Sequence, residues 1–89
     1  MDICSLVIGA RPESLQALRR DLQALPGVEL HAVADDGRVV VTVETDDHGN
    51  SVDVIERMRT LDGVLSVGLV YHHFEPDPEQ EAPHGTDPT

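Results

Sequence analysis

The five histidines and the single cysteine are the residues of this chain that could bind a metal ion. His72 and His73 are adjacent in a run of strand-forming residues, so their side chains point to opposite faces and do not readily share one ion. His31 and His72 could share a face, but the predicted sheet puts their strands at opposite edges, roughly 14 Å apart. Cys4 has no second cysteine with which to form a disulfide or a Cys-x-x-Cys metal motif. We therefore expect no metal site and no cofactor.

Catalytic chemistry has equally little support in the sequence. Ser5 and Ser66 lie in predicted strands, with no nucleophile-elbow motif and no histidine held beside them. The carboxylates cluster in turns and in the C-terminal tail, where solvated turn formers are the usual interpretation. The glycines at element ends occur singly and form no phosphate-binding loop. The sequence predicts a protein that is not an enzyme.

The composition is that of one small acidic domain. A chain of 89 residues has too little apolar surface for two cores. Its 17 acidic and six basic residues give a net charge of -11, which disfavours nucleic acid and favours a positively charged partner. The chain has no apolar run long enough to cross a bilayer and no secretory signal pattern, so we expect a cytoplasmic protein that does not bind membranes.

Hydrophobic periodicity predicts the element order β-α-β-β-α-β. Strands are expected over residues 3–10, 28–34, 38–44 and 62–72, with a hairpin turn at Asp36-Gly37. A first helix begins at Pro12, and a second is expected to be capped by Asn50. The apolar stripe of the first helix has spacings of three, four and three residues and consists of Leu15, Leu18, Leu22 and Leu25.

The two halves of the chain repeat each other at an offset of about 36 residues. Leu-Pro-Gly-Val at 25–28 corresponds to Leu-Asp-Gly-Val at 61–64. Two interleaved split β-α-β units predict a ferredoxin-like α+β fold, with a four-stranded antiparallel sheet of order 4-1-3-2 and both helices on one face. This domain is expected to span residues 1–73, and the proline-rich, acidic segment 74–89 is expected to be a disordered tail.

The sheet face opposite the helices is predicted to be open and lined by small side chains. Strict alternation along the last strand puts Leu65, Val67, Leu69 and Tyr71 on the core side. A helix with a basic end could lie on the open face, with Glu29 and Glu44 near its guanidinium groups. Tyr71 could add a cation–π contact at the strand's end, although alternation favours the core side for it. The predicted binding residues are Ser5, Val7, Glu29, His31, Val40, Thr42, Glu44, Ser66, Gly68, Val70, Tyr71 and His72, with Gly9 and Val33 on the same face.

Two other interpretations of this face stay open. It could be an ordinary solvated surface, or it could pair with a second copy of the chain, so self-association is a further expectation to test. A small-molecule-sensing or regulatory dimerisation domain of ferredoxin-like fold is the alternative function. Such a domain would form a dimer and respond to a ligand without any peptide.

Three segments of the chain resemble a known family. They are Cys-Ser-Leu-Val-Ile at 4–8, Leu-Pro-Gly-Val-Glu at 25–29, and Asp-Gly-Val-Leu-Ser-Val-Gly-Leu-Val-Tyr-His at 62–72. In this order and spacing they resemble the NapD family, the cytoplasmic chaperones dedicated to periplasmic nitrate reductase. The resemblance covers residues 3–73.

The resemblance implies a chaperone that binds, as a helix, the twin-arginine signal peptide of the nitrate reductase catalytic subunit precursor. Binding would prevent premature export by the twin-arginine (Tat) translocase until the molybdenum cofactor and iron–sulfur cluster are inserted. The chaperone itself would carry neither cofactor.

Overall fold

The structure, a computed structural model, describes residues 1–74. The strands of this part of the chain are β1 (Asp2–Ala10), β2 (Val28–Val33), β3 (Arg38–Thr45) and β4 (Val64–Phe74). The helices are α1 (Leu15–Gln23), which follows a 3-10 turn at Pro12–Ser14, and α2 (His48–Arg59). The predicted order of elements is confirmed.

The four strands form one antiparallel sheet in the order β2-β3-β1-β4. This is the predicted order 4-1-3-2 counted from the other edge, so the ferredoxin-like α+β fold is confirmed. Phe74, which was expected to begin the tail, is instead the last residue of β4. The rest of the predicted tail lies outside the described residues.

The core is a single aliphatic layer between the sheet and the two helices. β1 and β3 alternate strictly: every second side chain is buried along the whole of β1 and from Val39 to Val43 in β3. The fully buried side chains that fill this layer include Leu6, Ile8, Val39, Val41 and Val43 from the sheet, with Leu18, Leu22 and Met58 from the helices. Burying one such side chain contributes about 1.5 to 3 kcal/mol to the free energy of folding. Both helices pack on this face of the sheet, so neither covers the other face.

The repeat noted in the sequence appears as two equivalent turns, one after each helix. Gly27 has φ 76° and Gly63 has φ 92°, a region that only glycine adopts at little cost. In each turn the following valine amide donates back across the turn, from Val28 to Leu25 and from Val64 to Leu61. The glycines therefore direct both chain halves from helix into strand in the same way.

The cap of α2 differs from the prediction. Asp47, not Asn50, occupies the N-cap position, and its side chain accepts a hydrogen bond from the Asn50 backbone amide at 2.9 Å. Asp47 has an extended backbone, which lets its carboxylate turn back over the first exposed amides of the helix. The helix thus begins at His48 and brings that side chain to the sheet.

Three bulges interrupt the alternation that the sequence predicted. In β4, Ser5 pairs with Tyr71 and Leu6 pairs with Leu69, which leaves Val70 as an extra residue. A second shift in β4 leaves Leu65 unpaired, and one in β2 leaves His31 unpaired. An extra residue moves every later side chain of its strand to the opposite face.

These bulges overturn several predicted side-chain placements. Leu65 is 64% exposed and does not lie in the core. Val33, expected on the open face, packs against the core. Tyr71 pairs with Ser5 and lies on the open face, whereas His72 pairs with the buried Cys4 and lies on the helix side. Leu69 pairs with the buried Leu6 as expected, but it remains exposed.

Candidate functional site

The sheet face that the helices leave uncovered has a small apolar centre. Register pairing aligns four residues across all four strands, and we call this set the apolar row: Ala32, Val40, Val7 and Gly68. Neighbouring strands are about 4.8 Å apart, so the row is about 14 Å wide. A helix with its side chains is about 10 Å across, so this width accommodates one.

Gly68 leaves open space above the apolar row. A β-carbon placed there would meet only the Val7 backbone oxygen, at 3.8 Å, which is ordinary van der Waals contact. A ligand can therefore approach the backbone of β4 closely at this position.

The next row along the same face is polar. Glu29 pairs with Thr42, Thr42 with Ser5, and Ser5 with Tyr71. His31 joins this row from its bulge, because its Nε2 atom is hydrogen-bonded to Thr42 Oγ1 at 2.8 Å. The row therefore has the Glu29 carboxylate on one edge strand and the Tyr71 ring on the other.

A third row lies beyond the polar row and consists of Glu44, Ile3 and His73. We call the polar row and this third row together the acidic end of the open face. Glu44 lies diagonally from Glu29, a separation of about 7 to 8 Å between the α-carbons. Neither carboxylate has a salt-bridge partner within residues 1–74. Tyr71 is 56% exposed, and its ring lies nearly parallel to that of His73, with the ring centroids 6.2 Å apart.

The opposite end of the open face carries Arg38, Gly9 and Ser66. Arg38 is bound to Asp36 by a 3.2 Å salt bridge, so its charge is locally compensated. The acidic end of the face therefore carries uncompensated negative charge, whereas the charge at the Arg38 end is compensated by Asp36. A cationic ligand would be attracted to the acidic end, where the carboxylates of Glu29 and Glu44 can receive one guanidinium group and the Tyr71 ring, on the opposite edge strand, can receive a second.

The structure places most of the predicted binding residues on the open face. Those on it are Ser5, Val7, Glu29, His31, Val40, Thr42, Glu44, Ser66, Gly68 and Tyr71. Val70 is the exposed extra residue of a bulge and belongs to no row. The predicted placement of His72 on the open face was wrong, since the bulge at Val70 turns its side chain to the helix side.

Sequence reasoning missed four residues of this face. Simple alternation from Ser5 and from Val40 would have found Ile3 and Arg38. Ala32 and His73 lie beyond bulges, and alternation alone gave them the wrong side.

On the helix side, His72 belongs to a cluster around a fully buried carboxylate. Asp2 accepts a hydrogen bond from His72 Nε2 at 2.5 Å and one from His48 Nδ1 at 3.1 Å. The thiol of Cys4 donates to the same carboxylate at 3.6 Å. Both Asp2 and Cys4 are 0% exposed, whereas the side chains of His72 and His48 are 36% and 54% exposed.

The cluster has opposite effects on its two acidic groups. Burial alone would raise the pKa of Asp2, but hydrogen bonds from His72, His48 and Ser51 outweigh burial and hold that pKa well below its usual range. Burial raises the pKa of Cys4, and the neighbouring charge of Asp2 raises it further. The carboxylate is therefore ionised and the thiol protonated near neutral pH.

This cluster was not found from the sequence. The first strand was predicted to begin after Asp2, the second helix to begin after His48, and His72 to lie on the other face. The one available signal was the spacing of Asp2 and Cys4, which puts both side chains on one face of a strand.

Within residues 1–74, neither helix is long and apolar enough to cross a membrane.

Comparison with known proteins identifies one family. The NapD protein family model matches residues 1–76. Chaperone NapD of Escherichia coli (strain K12) is 40% identical over 80 residues, which are 88% of this chain and 91% of that protein. Chaperone NapD of Paracoccus pantotrophus is 34% identical over 86 residues, covering 92% of this chain and 72% of the relative. The solution structure of the E. coli Tat proofreading chaperone protein NapD superimposes with a TM-score of 0.74 at 33% identity, covering 98% of this chain and 92% of that one.

Proposed function

This chain belongs to the NapD family, and from that membership we propose that it is a cytoplasmic chaperone that binds a twin-arginine signal peptide on its open face. The peptide proposed is that of the periplasmic nitrate reductase catalytic subunit precursor. While bound, the peptide is withheld from the Tat translocase, so export waits until the cofactors are inserted. The chaperone needs no catalytic group or cofactor for this role.

The observation that carries the proposal is the apolar row. A helical peptide that lies across Val7, Val40 and Gly68 buries its own apolar side chains against the backbone of a rigid sheet. Ordering a disordered peptide costs about 2 to 5 kcal/mol, which burial against this row has to offset. Gly68 supports the proposal because it lets the helix approach closely.

The acidic end supports recognition of the arginine pair. Glu29 and Glu44 can each receive a guanidinium group through two parallel hydrogen bonds, and Tyr71 offers a ring face for stacking. Lysine has the same charge but lacks the planar guanidinium group that binds a carboxylate through two hydrogen bonds. The site should therefore bind arginine more tightly than lysine.

Calorimetric titration of the chain with synthetic peptides tests this function. The native nitrate reductase signal peptide should bind at least about tenfold more tightly than its Lys-Lys version, a difference of about 1.4 kcal/mol. A twin-arginine signal peptide from a different exported enzyme, matched in length and charge, serves as the control for partner identity and should bind more weakly.

Equal affinities for the Arg-Arg and Lys-Lys peptides would contradict arginine recognition at the acidic end. Equal affinities for the two twin-arginine peptides would leave the chaperone role standing but contradict its dedication to nitrate reductase. Absence of binding by all three peptides would contradict the proposed function itself.

A further inference from the structure

We propose that Asp2, Cys4, His48 and His72 form a binding site for a divalent transition metal ion, with Zn²⁺ as the best-fitting ion. Each of the four side chains offers one ligand atom, and these atoms all lie within 4.8 Å of one another. The site is on the helix side of the sheet, so it is separate from the open face and from the proposed peptide binding.

Three elements of the fold bring these side chains together. Asp2 and Cys4 are two residues apart in β1 and therefore point to the same face. His72 is the register partner of Cys4 on the neighbouring strand β4. His48 is the first residue of α2, and the Asp47 cap fixes where that helix begins. The convergence therefore depends on the tertiary fold and not on a local sequence motif.

The donor set favours Zn²⁺ over the hard cations. One thiolate, two imidazoles and one carboxylate are the ligand types of four-coordinate zinc, whereas Mg²⁺ and Ca²⁺ require mostly oxygen. Ligand atoms about 2.0 to 2.3 Å from a tetrahedral zinc ion are roughly 3.5 Å from one another. His72 Nε2 is 2.5 Å from Asp2 Oδ1, whereas His48 Nδ1 and Cys4 Sγ are 3.1 and 3.6 Å from Asp2 Oδ2. Shifts of about an ångström in the ligand atoms would bring the set to this geometry.

The side chains that would have to move are the exposed ones. Asp2 and Cys4 are enclosed by the core, but the rings of His48 and His72 reach solvent and lie with their centroids 4.6 Å apart. An ion can therefore approach from the solvent side, past the exposed edges of the two rings. On binding, the Cys4 thiol loses its proton to solvent and its sulfur bonds the ion. His72 Nε2 and His48 Nδ1 also give up the protons that they donate to Asp2, and each neutral ring regains a proton from solvent on its other nitrogen.

A supporting hydroxyl is present behind the ligands. Ser51 is fully buried and hydrogen-bonds the Asp2 carboxylate, and its Oγ atom also shares a 2.6 Å hydrogen bond with Thr45 Oγ1. Such outer contacts orient a metal-binding carboxylate and raise metal affinity.

Cobalt(II) titration of the full, untagged, metal-free chain under reducing conditions tests the site. We expect one Co²⁺ per chain, with the visible absorption of a four-coordinate ion and a near-ultraviolet thiolate-to-cobalt charge-transfer band. Zn²⁺ should displace the cobalt and abolish both the visible absorption and the charge-transfer band. His48→Gln should lower the affinity for Co²⁺ more than about tenfold, and Cys4→Ser should remove the charge-transfer band.

His73→Gln is the matched control, because His73 is adjacent to His72 but lies on the open face. It should bind Co²⁺ like the unchanged chain. The proposal would be overturned if His48→Gln and His73→Gln lost Co²⁺ affinity equally. It would also be overturned if the cobalt complex of the unchanged chain lacked the thiolate charge-transfer band. Circular dichroism of the metal-free variants checks folding. If Cys4→Ser is unfolded, the comparison of His48→Gln with His73→Gln decides, since both of these side chains are exposed.

Discussion

Gly68→Tyr should reduce signal-peptide affinity at least about a hundredfold, or about 2.7 kcal/mol, while the chain remains folded. The position tolerates a side chain, because a β-carbon there meets only the Val7 backbone oxygen at van der Waals distance. The phenol ring would then occupy the space above the apolar row that a helical peptide needs. Calorimetric titration with the nitrate reductase signal peptide measures the loss, and circular dichroism verifies the fold.

Ala17→Tyr is the matched control for this steric block. Ala17 is exposed on α1, on the opposite side of the sheet, so the same bulky side chain should leave peptide affinity unchanged there. If Gly68→Tyr is folded and binds the peptide as tightly as the unchanged chain, the binding site lies on an edge of the sheet or on the helices.

Gly27→Ala should lower the free energy of unfolding by about 2 to 3 kcal/mol. The φ of 76° disfavours any residue with a β-carbon, and an added β-carbon would overlap the Glu44 backbone carbonyl oxygen. The Glu44 amide donates to the Gly27 carbonyl at 2.9 Å, so the two segments cannot separate without losing that bond. Urea denaturation monitored by circular dichroism measures the change.

Gly68→Ala is the control for Gly27→Ala, since it makes the same substitution where space is open and φ is not positive. Its free energy of unfolding should stay within about 0.5 kcal/mol of the unchanged chain. Equal denaturation midpoints for the two variants would show that the turn after α1 is not held in the conformation described.

The fold was predictable because its signals are local and repeated. The leucine spacing of α1, the Asp36-Gly37 hairpin and the matching turns at Gly27 and Gly63 each identify one connection. Together these signals indicate one arrangement of the four strands and two helices, the ferredoxin-like fold. β1 and β3 contain no extra residue, so alternation assigned their faces correctly.

The errors come from β2 and β4, where the sequence does not mark the bulges. Val70, Leu65 and His31 are ordinary strand residues, and neither glycine nor proline signals that they are unpaired. Bulges arise where the twist of one strand has to match its neighbour, which is a property of the assembled sheet. Tyr71 and His72 exchanged faces for this reason, and the exchange moved an aromatic ring to the acidic end.

The buried cluster was unpredictable for a related reason. Asp2 and His48 lie at element boundaries, which are the least certain part of any assignment from sequence. Their contact joins residues far apart in the chain, and it depends on both the Asp47 cap and the Val70 bulge.

Intermolecular nuclear Overhauser effects between the signal peptide and the methyl groups of the chain test the central claim most directly. Binding on the open face predicts effects from the peptide's apolar side chains to the methyls of Val7 and Val40, and none to Val52, which is exposed on α2. Effects to Val52 without any to Val7 and Val40 would contradict the claim and place the peptide on the helices.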